Sequence, residues 1–145
     1  MRLESFSFWL GSALAAISTE LHGNFSLTCS GVKLVNNSFL AASCLSPAEA
    51  GGEGPLAPTK LDLAMCIGLN QVSGHLQWEI YGKFTNYCNN CSITTKLGEP
   101  DHFFSCSCVP LVGGRNALRS TLDLDEGVSN DQGTLKCKGG VGTSH

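Results

Sequence analysis

Cysteines are the residues of this 145-residue chain with the clearest potential for chemistry, and there are eight of them. Cys88 and Cys91 are separated by two residues, and Cys106 and Cys108 by one. Four thiolates at such short spacing could bind zinc, but alternate cysteines of a strand project from one face with little freedom to surround a metal. Many cysteines in a small chain are typical of an oxidising compartment and of disulfides. We therefore predict disulfides, with a four-thiolate zinc site as the alternative.

The other side chains give no sign of catalysis. The four histidines are scattered without ligand spacing, and no G-x-S-x-G nucleophile motif occurs. Asp62 and Asp123 each stand in a Leu-Asp-Leu unit, where we expect a structural role rather than a pair of catalytic acids. The sequence thus predicts that the protein is not an enzyme and that it needs no metal or cofactor.

Length and charge narrow the function further. The chain is long enough for one domain with a real core and too short for two ordinary domains. Its net charge is −3, and lysine and arginine are not clustered. Because nucleic-acid binding needs clustered basic residues to neutralise phosphates, we expect no nucleic-acid partner.

The first eighteen residues read as a secretory signal peptide. Residues 1–5 contain one arginine, and residues 6–17 are an apolar run, long enough for a signal peptide and too short to span a bilayer. Small residues allow cleavage after Ala15 or after Ser18. We expect residues 1–18 to be removed, and the mature protein to be secreted and to have no membrane span. A buried N-terminal helix is the alternative.

Three Asn-x-Ser triplets could carry glycans in a eukaryotic secretory pathway. They begin at Asn24, Asn36 and Asn90. Asn36 is the most plausible acceptor, because Asn90 is followed by a cysteine that we expect to form a disulfide.

A motif series of about sixty residues occurs twice. Leu61-Asp-Leu63 returns as Leu122-Asp-Leu124, and Gly74-x-Leu-x-Trp78 returns as Gly133-x-Leu-x-Cys137. A solenoid needs three or more stacked units, so two copies predict one pseudo-symmetric domain whose halves cover each other's apolar faces. The copies occupy residues 24–78 and 83–137, and they predict two equivalent sites.

Short alternating runs between turn-forming residues predict an all-β fold. We expect strands near 25–29, 38–44, 76–78, 103–109 and 134–137, and single helical turns at the Leu-Asp-Leu units. Residues 46–60 are rich in proline and glycine and predict a surface loop present only in the first copy. Residues 139–145 are expected to be a flexible tail.

The tandem order of these motifs, from Asn24 to about Cys137, resembles the cyanovirin-N homology (CVNH) family. The extra cysteines are similar to those of cysteine-rich secreted members from filamentous fungi. The resemblance implies one cyanovirin-N-like domain at residues 23–138, with two sheet-and-hairpin modules that exchange their hairpins between the sequence copies. Family members bind α-mannose oligosaccharides in two sites at opposite ends, without metal and without catalysis.

The resemblance also implies how the cysteines pair. Cys29–Cys44 and Cys88–Cys108 follow the family. Cys91–Cys106 would add a second bridge to the second module. Cys66–Cys137 would join the two copies and lock an exchanged hairpin. Each bridge contributes about 2–4 kcal/mol to stability.

By resemblance, a first sugar pocket lies between the first cysteine and the loop of the last hairpin. Its side chains able to bond sugar hydroxyls are Asn24, Thr28, Asn130, Asp131 and Gln132. Leu27 and Leu45 stand where well-binding members carry polar side chains. Asn130 has two possible roles, in the turn and in sugar binding.

A second pocket is implied around the second phenylalanine and the loop of the first hairpin. Its polar candidates are Asn70, Ser73, Lys83, Asn86 and Tyr87. Val109-Pro-Leu111 replaces the polar and basic residues that follow the strand cysteine in the family. We therefore expect those side-chain contacts to be lost. Lys83 and Asn86 also fit a plain solvated surface.

Taken together, the sequence predicts a secreted lectin for mannose-type glycans, with weakened or partly lost sites and with oligosaccharides or glycoproteins as partners. The alternative is a secreted, disulfide-stabilised structural or interaction protein that keeps the fold without sugar binding. Both a monomer and a domain-swapped dimer are compatible with exchanged hairpins.

Overall fold

The computed structural model describes residues 23–47, 53–112 and 116–144, which form short strands joined by turns of 3-10 helix. The predicted signal peptide and both cleavage points lie outside the described residues. In chain order the strands are β1 Cys29–Val35, β2 Phe39–Pro47, β3 Glu53–Asp62, β4 Ile67–Leu69, β5 Leu76–Trp78, β6 Cys88–Thr95, β7 His102–Cys108, β8 Leu118–Asp123, β9 Ser129–Asp131, β10 Thr134–Cys137, β11 Gly140–Val141 and β12 Thr143–Ser144. The 3-10 turns span Phe25–Leu27, Leu63–Met65, Phe84–Asn86 and Leu124–Glu126. The predicted all-β class is confirmed.

Each of the two modules contains strands from both sequence copies. Strands β1, β2 and β3 form the first antiparallel sheet, and β6, β7 and β8 form the second. Hairpin β9–β10 packs on the first sheet, where the Leu135 N–H donates to Thr59 Oγ1 over 3.1 Å. Hairpin β4–β5 packs on the second sheet, where the Leu76 N–H donates to Ser120 Oγ over 2.8 Å. The exchange of hairpins and the pseudo-symmetry are therefore confirmed.

The chain enters each sheet through a 3-10 turn that places a phenylalanine in the core. Phe25 and Phe84 are both fully buried. A glycine precedes each turn because the backbone there lies against another segment. A Cβ on Gly23 would collide with the Val128 carbonyl, and a Cβ on Gly82 would collide with the backbone of Ile67 and Gly68. Burying a phenylalanine side chain stabilises the fold by about 1.5–3 kcal/mol, so these turns are strong anchors for both modules.

The two Leu-Asp-Leu units end a strand and start a 3-10 turn, as predicted. The Asp62 carboxylate accepts from the Ala64 N–H over 3.0 Å, and the Asp123 carboxylate accepts from the Asp125 N–H over 3.0 Å. Each aspartate therefore caps the turn that follows it by satisfying a free backbone donor. This is local chemistry, which is why a short motif was enough to predict it.

All eight cysteines form disulfides, in the four pairs that the resemblance implied. Three bridges join neighbouring strands, with Cα atoms 4.0 Å apart for Cys29–Cys44 and Cys88–Cys108 and 4.1 Å apart for Cys91–Cys106. The fourth, Cys66–Cys137, joins the two sequence copies with its Cα atoms 6.1 Å apart. Since every thiol is paired, the alternative of a four-thiolate zinc site is wrong.

One strand prediction and one loop prediction in the first copy were wrong. Residues 25–27 form a 3-10 turn rather than the start of a strand. The predicted loop at 46–60 is instead largely strand β3, which pairs with β2 from Phe39–Asp62 to Pro47–Glu53. Pro55 and Pro58 are compatible with β3 because β12 covers only Thr59 and Lys60, which leaves the proline-containing part at the edge of the sheet.

The flexible tail predicted at 139–145 is wrong for residues 139–144. Gly139 has a φ of 106°, which turns the chain back on itself. Gly140 then pairs with Cys137, and Thr143 pairs with Lys60 at the open edge of the first sheet. A weakly patterned segment becomes ordered here because its backbone N–H and C=O groups meet an unpaired strand edge.

Candidate functional site

The first predicted pocket lies where the loop of hairpin β9–β10 meets the first sheet. Asn130 makes this junction: its Nδ2 donates to Thr28 Oγ1 over 3.0 Å and to the Leu45 carbonyl over 2.9 Å. Its Oδ1 accepts from the Gly133 N–H over 2.7 Å. Both amide hydrogens of Asn130 are therefore used within the protein. The structure shows the turn and junction role, and the role of Asn130 in sugar binding stays a prediction.

The other four residues of this pocket surround the junction. Thr28, Asp131 and Gln132 are exposed, and Asn24 is half-buried, where it forms a backbone bridge with Ser129. The Thr28 hydroxyl accepts from Asn130 and keeps its own hydrogen to donate, while the Gln132 amide offers both donors and an acceptor. The structure thus brings together all five residues, although they are up to about a hundred positions apart in the chain.

Asp131 supplies the negative charge of the first pocket. Its Oδ2 lies 3.4 Å from Lys136 Nζ, and the two side chains are about half exposed, at 54% and 49%. An exposed pair of this kind contributes at most about 1 kcal/mol, so the carboxylate can exchange this partner for a ligand hydroxyl. Leu27 is 65% exposed beside Thr28, so part of the rim is apolar.

Two of the five polar residues predicted for the second pocket, Asn70 and Ser73, are used within their own loop. Asn70 Oδ1 accepts from the Val72 and Ser73 N–H groups over 2.9 and 3.0 Å, and its Nδ2 donates to Gln77 Oε1 over 3.3 Å. Ser73 Oγ accepts from the His75 N–H over 3.2 Å. These bonds hold the β4–β5 loop in shape and leave few polar atoms for a ligand.

The segment after β7 gives the second pocket an apolar surface. The Val109 N–H donates to the Tyr87 carbonyl, and the Leu111 N–H donates to Gln71 Oε1 over 2.6 Å, which ties this segment to the β4–β5 loop. Val109 and Leu111 are 43% and 74% exposed. Lys83 and Asn86 are also exposed. The two pockets therefore occupy equivalent positions and present different chemistry.

A comparison with protein families now assigns the chain. A family model described as the CVNH domain matches residues 25–136. The chain belongs to the CVNH family.

Solved structures with the same fold agree with this assignment. The CVNH domain described here superposes on GzCVNH of Gibberella zeae with a TM-score of 0.66 and 24% identity, over 79% of this chain and 97% of that one. A designed cyanovirin-N homologue lectin gives a TM-score of 0.63 and 22% identity over 79% and 98% of the chains. Microvirin, solved in complex with mannobiose, gives 0.62 and 28% over 79% and 98%. No curated protein matches the chain in a sequence search.

A groove of this CVNH domain lies beside the first pocket, between the two sequence copies. It has a volume of about 1240 Å³. Asn130 and Asp131 belong to both the groove and the pocket. The other lining residues are Gly23, Cys66, Trp78, Glu79, Ile80, Glu126, Gly127, Ser129, Lys136, Cys137 and Lys138. Sequence reasoning missed this groove; the only available signal was that Glu79 and Lys138 follow the two equivalent hairpins at the same position.

A buried carboxylate connects the entry turn of the CVNH domain to its second sheet. Asp125 is 3% exposed, and its Oδ1 accepts from both the N–H and the hydroxyl of Ser26, over 2.9 and 2.6 Å. Its Oδ2 accepts from the His102 N–H over 2.9 Å. Asp125 is therefore satisfied on both oxygens, and it holds the turn that carries the residues before Thr28.

Asp123 is the titratable group whose pKa is clearly shifted in the described part of the CVNH domain. Burial, and then the neighbouring carboxyl of Asp101 through hydrogen bonding and charge, raise the pKa of Asp123 to about 6. The Asp125 N–H acts in the opposite direction. In the first copy the equivalent carboxylate, Asp62, accepts instead from the Ser38 hydroxyl over 2.8 Å.

The three possible glycosylation sites occupy different surroundings in the CVNH domain. Asn36 is exposed in the loop between β1 and β2, and Asn90 is exposed beside the irregular pairing of β6 and β7. Asn24 is half-buried at the first pocket. The exposure of Asn36 is compatible with the prediction that it is the acceptor, and this stays a prediction.

Neither a metal centre nor a spanning helix is found in the part of the chain that the structure describes. Within 23–47, 53–112 and 116–144, no three His, Cys, Asp or Glu side chains are grouped to hold a metal ion. Over the same ranges, no helix is long and apolar enough to cross a membrane.

Proposed function

We propose that this CVNH domain is a secreted carbohydrate-binding protein that binds mannose-type glycans through the first pocket. The observation that carries the proposal is the pair of hydrogen bonds that Asn130 donates to Thr28 and to the Leu45 carbonyl. These bonds hold the exposed Thr28, Asp131 and Gln132 together. Vicinal sugar hydroxyls need donors and acceptors grouped in this way. Microvirin, which is similar to this chain, was solved with mannobiose, and this supports the choice of sugar.

The second pocket contributes little to this proposed activity. Its asparagine and serine are bonded within their loop, and Val109 and Leu111 present apolar side chains. A single working site gives up the gain in avidity that two linked sites provide on multivalent glycans. The protein would therefore bind one glycan per chain.

Secretion is the second part of the proposal. Four disulfides are typical of an extracellular protein, and residues 1–18 have the pattern of a signal peptide. Its partners would be oligosaccharides or glycoproteins outside the cell.

The direct test is titration of the oxidised mature protein with mannobiose by isothermal calorimetry. We expect one site per chain, and a loss of at least about tenfold in affinity for the double variant Asp131→Ala with Gln132→Ala, corresponding to about 1.4 kcal/mol. The matched control is Lys83→Ala with Asn86→Ala, two equally exposed residues of the second pocket, which should leave binding unchanged.

Two outcomes would contradict the proposal in different ways. If the Lys83 and Asn86 variant loses binding while the Asp131 and Gln132 variant keeps it, the second pocket is the working one. If the protein with native disulfides binds no mannoside on a glycan array, it is a structural or interaction protein that keeps the fold without sugar binding.

A further inference from the structure

The groove between the two sequence copies continues directly from the first pocket along one face of hairpin β9–β10. In this hairpin Lys136 lies opposite Ser129, and Thr134 lies opposite Asp131. Since alternate strand residues point to one face, Ser129, Asp131 and Lys136 share a face, and Asn130 and Leu135 face the first sheet. The groove is lined by Ser129, Asp131 and Lys136. A ligand held at Asp131 would therefore have open space ahead of it.

The far part of the groove offers the chemistry that a sugar chain needs. Glu126 and Lys138 line it and are exposed, and within residues 23–47, 53–112 and 116–144 neither has a hydrogen bond to another side chain that would have to be broken. Trp78 borders the groove and its ring packs against Gly127, which also lines it. Carboxylates accept from hydroxyls, ammonium groups donate to them, and aromatic rings offer an apolar surface for a sugar.

Charge and size limit what this groove can take. Three carboxylates and two ammonium groups line it, so a strongly charged polymer of either sign would meet like charges. Its volume of about 1240 Å³ also exceeds the roughly 300–1,000 Å³ of a usual small-molecule pocket. Both features favour a neutral ligand that is longer than a disaccharide.

We propose that the groove is an extended subsite in which Glu126, Lys138 and Trp78 bind further units of a neutral oligosaccharide whose end lies in the first pocket. This proposal rests on the proposed function. It adds the substrate class, because the preferred ligand becomes an oligosaccharide longer than a disaccharide rather than a single terminal sugar pair.

The test compares two ligand lengths, mannobiose and a linear mannose oligosaccharide of about five units, by calorimetry on the mature protein. We expect the wild type to bind the longer ligand at least about tenfold more tightly, in the range that a few added hydrogen bonds provide. The double variant Glu126→Gln with Lys138→Ala should lose most of this gain and keep its affinity for mannobiose. The matched control, Lys33→Ala, alters an exposed lysine outside the groove and should keep both affinities.

Tryptophan fluorescence gives a second readout. The chain has two tryptophans, of which Trp9 lies in the predicted signal peptide, so Trp78 would report alone in the mature protein. The longer ligand should change its emission, and mannobiose should change it less.

Equal affinities for both lengths in the wild type would overturn the subsite and leave the proposed function standing. So would an equal loss of both affinities in the groove variant. Absence of binding for either ligand would instead overturn the proposed function, and the subsite with it.

Discussion

The two hairpins are fastened at their bases by different chemistry. At the base of hairpin β4–β5, Trp78 packs on Gly127, where a Cβ would lie only 2.7 Å from three atoms of the indole ring. At the base of hairpin β9–β10, the equivalent residues are Cys137 and Cys66, and they form a disulfide. Trp78 pairs with Ile67, and the same register places Cys137 opposite Val128.

The difference shows that one backbone arrangement can be held in two ways. The Trp78–Gly127 contact depends on shape, because only a residue without a side chain leaves room for the ring. The Cys66–Cys137 bridge depends on a bond and constrains the unfolded chain as well. Each links a hairpin of one copy to the end of a 3-10 turn in the other, so the pseudo-symmetry of the backbone survives although the side chains differ.

Removing the Cys66–Cys137 bridge is expected to have the largest effect on stability. The double variant Cys66→Ala with Cys137→Ala should lower the free energy of unfolding by about 4 kcal/mol, because the bridge closes a long loop. The two cysteines are 71 positions apart, compared with 15 for Cys91–Cys106. Chemical denaturation of both disulfide variants would measure the difference.

The Cys91→Ala with Cys106→Ala variant is the matched control for that experiment. Its free energy of unfolding should fall by about 1 kcal/mol less than that of the Cys66 and Cys137 variant, because the shorter loop loses less entropy on closure. If the two variants are equally unstable, the bridge between the copies has no advantage over a bridge within a hairpin.

A double-mutant cycle tests the contact between Trp78 and Gly127, which fastens the other hairpin by packing. Gly127→Ala should cost about 1–3 kcal/mol in the wild type, since the new methyl group meets the Trp78 ring in a packed site. In a Trp78→Ala background the same substitution should cost less than about 0.5 kcal/mol, because the obstacle is gone. A cost that is the same in both backgrounds would show that Gly127 is needed for some other reason.

The smallest expected effect is the pH dependence that Asp123, in the second Leu-Asp-Leu unit, gives to stability. In the folded protein the pKa of Asp123 is raised from 3.8 to about 6, so the folded state binds more protons than the unfolded state between these values. The stabilisation from protonated Asp123 is therefore present at low pH and is lost as the pH rises through about 6. Denaturation at about pH 5 and about pH 7 would measure this decline.

Asp101→Asn is the variant that checks the cause of this decline. An amide can donate to the Asp123 carboxylate and carries no charge, so the decline with pH should become smaller. An unchanged pH dependence would assign the effect to burial alone.

Much of the fold was predictable because its signals are local or repeated. The Leu-Asp-Leu units predicted the capped turns, since a side chain and the backbone donor it satisfies are two residues apart. The repeat predicted the pseudo-symmetry, and the resemblance to the CVNH family implied the exchanged hairpins and the four disulfide pairs. Strand β3 and the final strands were missed because they depend on neighbouring strand edges rather than on their own patterns.

The candidate site was predicted as a set of residues but not as a set of roles. The sequence gives Asn130 two possible roles, and its bonds to Thr28 and Leu45, 102 and 85 positions away, show the junction role that the sequence alone did not reveal. The groove was not predicted, because its walls come from both copies.

The sequence by itself determined a two-copy, cysteine-rich, all-β domain with capped turns, since spacing and capping are written along the chain, and its resemblance to the CVNH family implied which cysteines pair. Only the tertiary structure decided which polar groups are free to meet a ligand. A side-chain donor or acceptor that bonds a distant segment of the chain is no longer free to bond a ligand. Which donors and acceptors bond in this way is visible only in the folded structure, where the segments lie together. The apolar surface of the second pocket has a different origin, because Val109-Pro-Leu111 already indicates it in the sequence.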